Sequence, residues 1–378
     1  MHPKISRLYI NNYRCFVNFE LRPEGRMLLL GYNGTGKSSI LDVLAAIQDV
    51  VIWNKDVADL FPPDCVSAFA DSKEQRIELD IESEWGTFRY ALHLTHDNKR
   101  NIALIASETV TLGGQPLYHF ENGEVQLYRD DFTPTKASFS FSPRRSFLAS
   151  LEPETAHKWV PKSMDTKVAW LKTFIEGIWI LRFNPDRMSA VSQAEDTFLA
   201  RDASNFGSWC RNLLSESPDN VQRAREMLKE IVPGFESLRT QTVGRAKVLV
   251  VKFSYPGGAP YELDFDSLSD GQKVLIALYM ILHGVAPRPT VLGLDEPDNF
   301  VSIREIQPFL VELTRLSGNT GLQALLISHS AEVIDFIGAS DAILLERPDG
   351  AHTRVASIVS DPSLRLSELM ARGWHAAA

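Results

Sequence analysis

The sequence is short of cysteine, of long apolar runs and of positive charge, and each shortage excludes a class of protein. Its three cysteines, Cys15, Cys65 and Cys210, stand far apart and form no C-x-x-C pair. A zinc site or a dithiol redox centre is therefore not expected, and the thiols read as buried or incidental groups in a reducing cytoplasm. No apolar run approaches the roughly 18 residues of a membrane-crossing helix. The opening Met1-His2-Pro3-Lys4-Ile5-Ser6-Arg7 does not lead into the apolar core of a signal peptide. The net charge of −9 argues against a protein that coats nucleic acid, although a local basic patch would not show in the sum. There is no internal repeat, no low-complexity tract and no sustained heptad pattern. The expectation is a cytoplasmic globular protein without membrane contact. With 44% apolar and 23% charged residues in 378, the chain has the material for one large α/β domain with an insertion, or for two domains.

What is present is organised around Gly31-Tyr32-Asn33-Gly34-Thr35-Gly36-Lys37-Ser38, which fits the phosphate-loop pattern G-x-x-x-x-G-K-[ST] at every fixed position. The apolar run Arg26 to Leu30 before it suits a buried strand. Ser39 to Ile47 after it places apolar residues at 40, 41, 44 and 47, a helical spacing. The glycines let backbone N–H groups converge on phosphate oxygens, and the helix start adds partial positive charge. Asn33, Gly34, Thr35, Gly36, Lys37, Ser38 and Ser39 are thus the expected nucleotide-binding segment. Lys37 would reach the β- and γ-phosphates, and Ser38 would hold Mg²⁺.

Upstream, residues 5–30 alternate as strands, with a turn at Asn11-Asn12-Tyr13-Arg14. Arg14 either approaches the nucleotide or stays a solvated turn residue. From Gln75 to about 130 the alternation, with a turn at Glu121-Asn122-Gly123-Glu124, predicts an antiparallel sheet. Arg144 and Arg145 form a small basic patch or a solvated loop. Helices are expected over 151–176 and 203–230, the second broken at Pro218, with the apolar strand Gly177 to Phe183 between them. Val248 to Phe253 and Tyr261 to Phe265 read as strands, and the tail as a strand at Ala342 to Glu346 and a helix near Leu364 to Ala371.

A second group of candidates follows. Ser269, Asp270, Gly271 and Gln272 precede an apolar helix, where a hydroxyl and exposed N–H groups suit an anion or simply cap the helix. The strand Thr290 to Leu294 ends in Asp295 and Glu296. A carboxylate at the C-terminal end of a buried α/β strand faces the ligand crevice. Asp295 suits Mg²⁺ and Glu296 suits general-base activation of water. The strand Gln323 to Ile327 ends at His329, suited to hydrogen-bond a γ-phosphate or position water.

In this order the motifs resemble the Walker A, signature, Walker B and switch histidine of ABC-type ATPases. The form of the phosphate loop and the opening Leu8 to Phe16 are similar to the RecF/SMC-like branch of AAA family ATPases, firmly over 1–50 and 260–345. Phe183 to Arg187 and the helix after Asp202 to Phe206 are similar, more loosely, to stand-alone ATPases of that branch. The resemblance implies an α/β P-loop NTPase head with a mixed central sheet. Its ATPase core would lie at 1–50 and 245–378. The insertion 51–244 would hold a β lobe (about 75–130) and a helical region (about 150–235). It implies ATP and Mg²⁺ as ligands and hydrolysis to ADP and phosphate. It also implies a homodimer or higher homo-oligomer closed by ATP between two heads, with Ser269, Gly271 and Gln272 meeting the partner's ATP. Three features depart from the pattern. No long coiled coil is present, Gln193 is the best stand-in for the usual Q-loop glutamine, and Ser302 falls where an aspartate is common, leaving Asp298 and Asn299 as the polar residues there.

The resemblance extends to the ATPase part of overcoming-lysogenization-defect nucleases. About 49 residues follow His329, too few for the nuclease domain found there, so a separate effector chain, such as a nuclease, is expected. DNA remains a further candidate ligand, through a groove that gathers Arg144 and Arg145. A role in DNA maintenance or as the ATPase component of anti-phage defence follows. The alternatives are the ATPase subunit of a membrane transporter, disfavoured because about 230 residues separate Lys37 from Ser269, and a nucleotide-dependent scaffold, disfavoured by Glu296 and His329.

Overall fold

The computed structural model describes residues 2–97, 102–151, 165–358 and 364–373. Its centre is a six-stranded sheet in the order Ile178–Leu181, Val291–Asp295, Gln323–Ile327, Arg26–Gly31, Ala342–Glu346 and Arg354–Ala356. The first five strands run parallel, and the last pairs antiparallel at the edge. Strands with both faces covered read as continuous apolar runs, which is why Met27 to Leu30 and Val291 to Leu294 carry no polar residue.

Successive side chains of a strand point to opposite faces, so this sheet divides the interior in two. Met27, Leu29, Val291, Leu325 and Ile327 face one core, whereas Leu28, Leu30, Leu292, Leu294 and Leu326 face the other. The first core takes in the helix Lys37–Val51 and the inner face of a large antiparallel sheet. That helix is buried at Val43, Ala45 and Val50 as well as at the expected 40, 41, 44 and 47. A helix apolar nearly all round is one covered on all sides, and this one lies between the central sheet and the lobe. The second core is built on the helices Phe206–Glu216, Pro218–Ile231, Asp270–Tyr279 and Ile303–Thr320. Pro218 opens the second of these, where its missing N–H costs nothing.

The antiparallel sheet has eight strands: Phe19–Leu21, Lys4–Asn11, Glu74–Ser83, Gly86–Asp97, Ile102–Leu112, Gln115–Glu121, Glu124–Tyr128 and Pro134–Ser140. A third sheet pairs Ala246–Phe253 with Phe235–Val243 on one side and with Val191–Ser192 and Tyr261–Asp264 on the other. Two expected boundaries therefore differ. The N-terminal strands, assigned to 1–50 of the core, join the β lobe, because Leu8 and Ile10 share its buried face with Leu79 and Ile77. The strand Ile178–Leu181, assigned to the insertion, is an edge of the central sheet. The helix expected over 151–176 is seen as Asp165–Glu176, and its earlier part falls outside the described residues.

Candidate nucleotide-binding site

The strand Arg26–Gly31 delivers the chain to the loop, and the helix Lys37–Val51 leaves it. Gly36 stands at the helix N-cap with φ +93, and a Cβ there would lie 2.6 Å from both Cys15 Sγ and Phe16 Cζ. Only glycine accepts that conformation and that approach. The first helical turn has no acidic residue, and no side chain caps it, so its free N–H groups are open to an anion. Asn33 and Gly34 are exposed on the loop. Thr35 Oγ1 donates to Tyr32 O at 2.8 Å, and Thr353 Oγ1 donates to Thr35 O at 2.9 Å, which ties the loop to the connection before the edge strand Arg354–Ala356.

Lys37 is buried, and its Nζ donates to Gly31 O at 2.7 Å and Tyr32 O at 3.2 Å. Burial lowers its pKa, while the charges of Glu296 and Asp295 oppose that shift. The lysine and the two acids therefore share one electrostatic site. Asp295 ends the strand Val291–Asp295 and is 6% exposed. Glu296 turns out of the strand with φ +52. A left-handed non-glycine residue costs on the order of 1–3 kcal/mol and persists where its surroundings fix it. Here the Glu296 N–H donates to Ile327 O at 2.9 Å and Asn299 Nδ2 donates to Glu296 Oε2 at 2.6 Å. His329 Nε2 lies 3.6 Å from Glu296 Oε1. Asp298 accepts from Ser328 Oγ at 2.9 Å, and burial raises its pKa against that bond. Lys37, Asp295, Glu296 and His329, spread over almost 300 residues of sequence, thus meet at the C-terminal ends of three neighbouring parallel strands.

Among the described residues no cluster of three or more His, Cys, Asp or Glu side chains is placed to hold a metal. The donor set fits Mg²⁺ bound with a nucleotide instead, since Mg²⁺ takes one or two carboxylates and completes its shell with phosphate oxygens and water. Ser38 is partly buried at the start of the phosphate-loop helix and its hydroxyl makes no hydrogen bond among the described residues, so it is free for that role.

The Ser269 group has a different setting. Ser269 is exposed and caps the helix Asp270–Tyr279 through a capping box with Gln272. Its hydroxyl accepts from the Gln272 N–H at 3.3 Å, and Gln272 Oε1 accepts from the Ser269 N–H at 3.1 Å. Among the described residues neither side chain reaches the phosphate loop. Gly271 packs against the chain after the Walker B acids, where a Cβ would lie 2.6 Å from Phe300 O. Ser302, in place of the common aspartate, caps the helix Ile303–Thr320 with Glu305 in a capping box.

Two site residues carry more than sequence reasoning gave them. Arg14 Nη1 donates to Ser39 Oγ at 3.0 Å and to Asp42 Oδ2 at 2.5 Å, on the first turns of the phosphate-loop helix. Arg182, which received no role, places Nε 2.7 Å from Asp295 Oδ2, and its Nη2 bonds the same oxygen. An arginine at the end of the otherwise apolar run from Gly177 was the available signal. Both arginines line a cleft of about 330 Å³ with Asp42, Ile180, Asp202 and Asp295. Gln193 stands exposed beside the Val191–Ser192 strand, among residues that pair with 247–248 and not with the loop. Arg144 is held by Asp56 at 2.6 Å, so its charge is already matched.

A family model described as "AAA domain, putative AbiEii toxin, Type IV TA system" matches residues 26–335. No curated protein matches the chain. Among solved structures the chain is similar to an Smc head bound to the C-winged helix domain of ScpA. The identity is 14%, the match covers 97% of this chain and 99% of that one, and the TM-score is 0.57. It is also similar to the Smc head domain with an extended coiled coil, bound to the C-terminal domain of ScpA and derived from Pyrococcus furiosus. That match has 12% identity, covers 98% and 99%, and has a TM-score of 0.51. The chain therefore belongs to that AAA-domain family, and it has the fold of an SMC head.

Proposed function

We propose that the chain binds and hydrolyses Mg²⁺-ATP and closes head to head with a second copy of itself when ATP is bound. In this reading Lys37 and the loop N–H groups hold the phosphates, Ser38 and Asp295 hold the metal, Glu296 activates water and His329 orients it toward the γ-phosphate. Ser269, Gly271 and Gln272 complete the partner's site. The γ-phosphate supplies the contacts that differ between open and closed states, and hydrolysis releases them. The carrying observation is the separation within one chain. The loop lysine, both acids and the histidine gather at the strand ends, while the signature serine is exposed and bonded only within its own turn. A site of this kind lacks its closing surface until another copy provides it.

The biological setting in this reading is DNA maintenance or anti-phage defence, with a separate effector chain in the cytoplasm. The solved Smc heads carry bound ScpA domains, and attachment of a non-ATPase chain to this head is the corresponding expectation. The test is the mass in solution of Glu296→Gln with and without Mg²⁺-ATP. Glutamine keeps the acceptor for Asn299 but removes the base, so bound ATP persists. A monomer that becomes a dimer on adding ATP, and fails to do so when Ser269→Arg is added, supports the reading. An unchanged mass with ATP demonstrably bound refutes head-to-head engagement.

A further inference from the structure

The carboxylate assigned to the metal is already occupied by a cation of the protein. We propose that Arg182 competes with Mg²⁺ for Asp295: it neutralises that carboxylate in the nucleotide-free head and leaves it when the metal arrives. The proposal rests on the ATPase reading above and adds a residue that sets how readily the site loads metal.

The register of the sheet creates the pair. Leu181 lies opposite Leu294 in the parallel pairing of Ile178–Leu181 with Val291–Asp295. The next residue of each strand, Arg182 and Asp295, is thereby placed side by side at the end of the sheet. Nε and Nη2 converge on the single oxygen Oδ2, with Nε at 2.7 Å. Asp295 is nearly buried, and a buried carboxylate without a partner is expensive. The guanidinium meets that need before any metal is bound.

The arginine is also built to let go. Its side chain is 60% exposed, against 6% for Asp295. Among the described residues its guanidinium has no other partner, because the acids nearest in the cleft are taken. Asp49 is paired with Arg201 at 3.0 Å, Asp202 with Arg187 at 2.7 Å and Asp42 with Arg14 at 2.5 Å. The backbone stays fixed, since the Arg182 N–H donates to Arg201 O at 2.8 Å. Release is therefore a swing of a side chain that is already mostly exposed. Retention is not compatible with metal binding, because a dication on either oxygen of this carboxylate would lie beside the guanidinium. Like charges at such separations repel strongly in a partly buried site.

The experiment uses the full chain loaded with a fluorescent ATP analogue in EDTA and then titrated with Mg²⁺ at low salt. The readout is the free Mg²⁺ concentration at half-saturation. Arg182→Gln is expected to lower it by about tenfold, the size of one charge-assisted contact removed from competition. Arg182→Lys keeps a cation but lacks the two-donor fork, so it falls between wild type and Gln. Affinity for the analogue in EDTA stays within about threefold in both variants, because only the metal step is altered. In parallel, the nucleotide-free Arg182→Gln protein melts below wild type, and Mg²⁺ with nucleotide restores it. A half-saturation that is unchanged or raised in Arg182→Gln overturns the proposal. If that variant does not fold, Arg182→Lys decides in the same way. Analogue binding with an unmoved metal requirement sinks only the role of Arg182, whereas no analogue binding with or without Mg²⁺ sinks the ATPase reading and this proposal together.

Discussion

Glu108 offers a severe test of how the β lobe is held, independent of nucleotide. The side chain is fully buried in the strand Ile102–Leu112 and has no basic partner among the described residues. Tyr90 Oη donates to it at 2.8 Å, Tyr118 Oη at 2.9 Å and Ser146 Oγ at 2.7 Å. All three donors are themselves buried. Glu108→Ala would strand three buried hydroxyls, each worth about 1–3 kcal/mol when unsatisfied. The loss, roughly 3–9 kcal/mol, is a large part of a typical total stability of about 5–15 kcal/mol. The pH dependence has a definite sign. Burial raises the Glu108 pKa, and the three hydroxyl bonds only partly oppose it. The folded protein therefore holds this proton more tightly than the unfolded chain, where a glutamate titrates near about 4.3. Stability from this group is complete below that value and is lost as pH rises through the folded pKa, by at most about 1.4 kcal/mol per pH unit. Glu108→Gln keeps the shape and removes this slope. Urea unfolding of wild type and Glu108→Gln from pH 4.5 to 8 is the assay, with the mutant gaining on wild type as pH rises through that window. A stability difference that is flat with pH, or that moves against the mutant, would refute the account of a buried carboxylate held against its preference.

Lys37→Ala removes the buried ammonium that faces both acids. Equilibrium binding should show Mg²⁺-ATP affinity lower by about 10–100-fold, the worth of one contact between charged groups. Arg14→Gln should weaken nucleotide binding in a salt-dependent way yet shift the melting free energy by less than about 1 kcal/mol, since its pair with Asp42 is half-exposed. A large loss of stability would show that Arg14 is structural. Gly271→Ala drives a Cβ to 2.6 Å from the Phe300 carbonyl, which is backbone and must shift. A thermal melt should register about 1–3 kcal/mol of overpacking, and ATP-driven dimerisation of Glu296→Gln should be lost with it. Dimerisation at wild-type ATP concentrations would separate this contact from head engagement.

The local motifs were legible because each encodes its own backbone. Glycines at 31, 34 and 36, all with positive φ, between an apolar strand and a helix leave few conformations open, and the acids at 295 and 296 follow a run that only a buried strand accommodates. The Ser269 to Gln272 capping box and the alternation from 75 to 130 were readable for the same reason. Other features were decided only by tertiary structure. The pairing of Arg182 with Asp295 spans 113 residues of sequence and depends on one parallel register. A shift of that register by one residue would turn Ile178 and Ile180 from the first core to the second. The burial of both faces chose that register, and no stretch of sequence near Arg182 states it. The same holds for the strand Lys4–Asn11, whose alternation predicts a strand but not a sheet. It joins the lobe because its buried face matches that of Glu74–Ser83. The order of residues alone was enough to locate the glycine loop, the strand-end acids and the helix caps. The packing of two cores against one sheet decided which charges stand beside them.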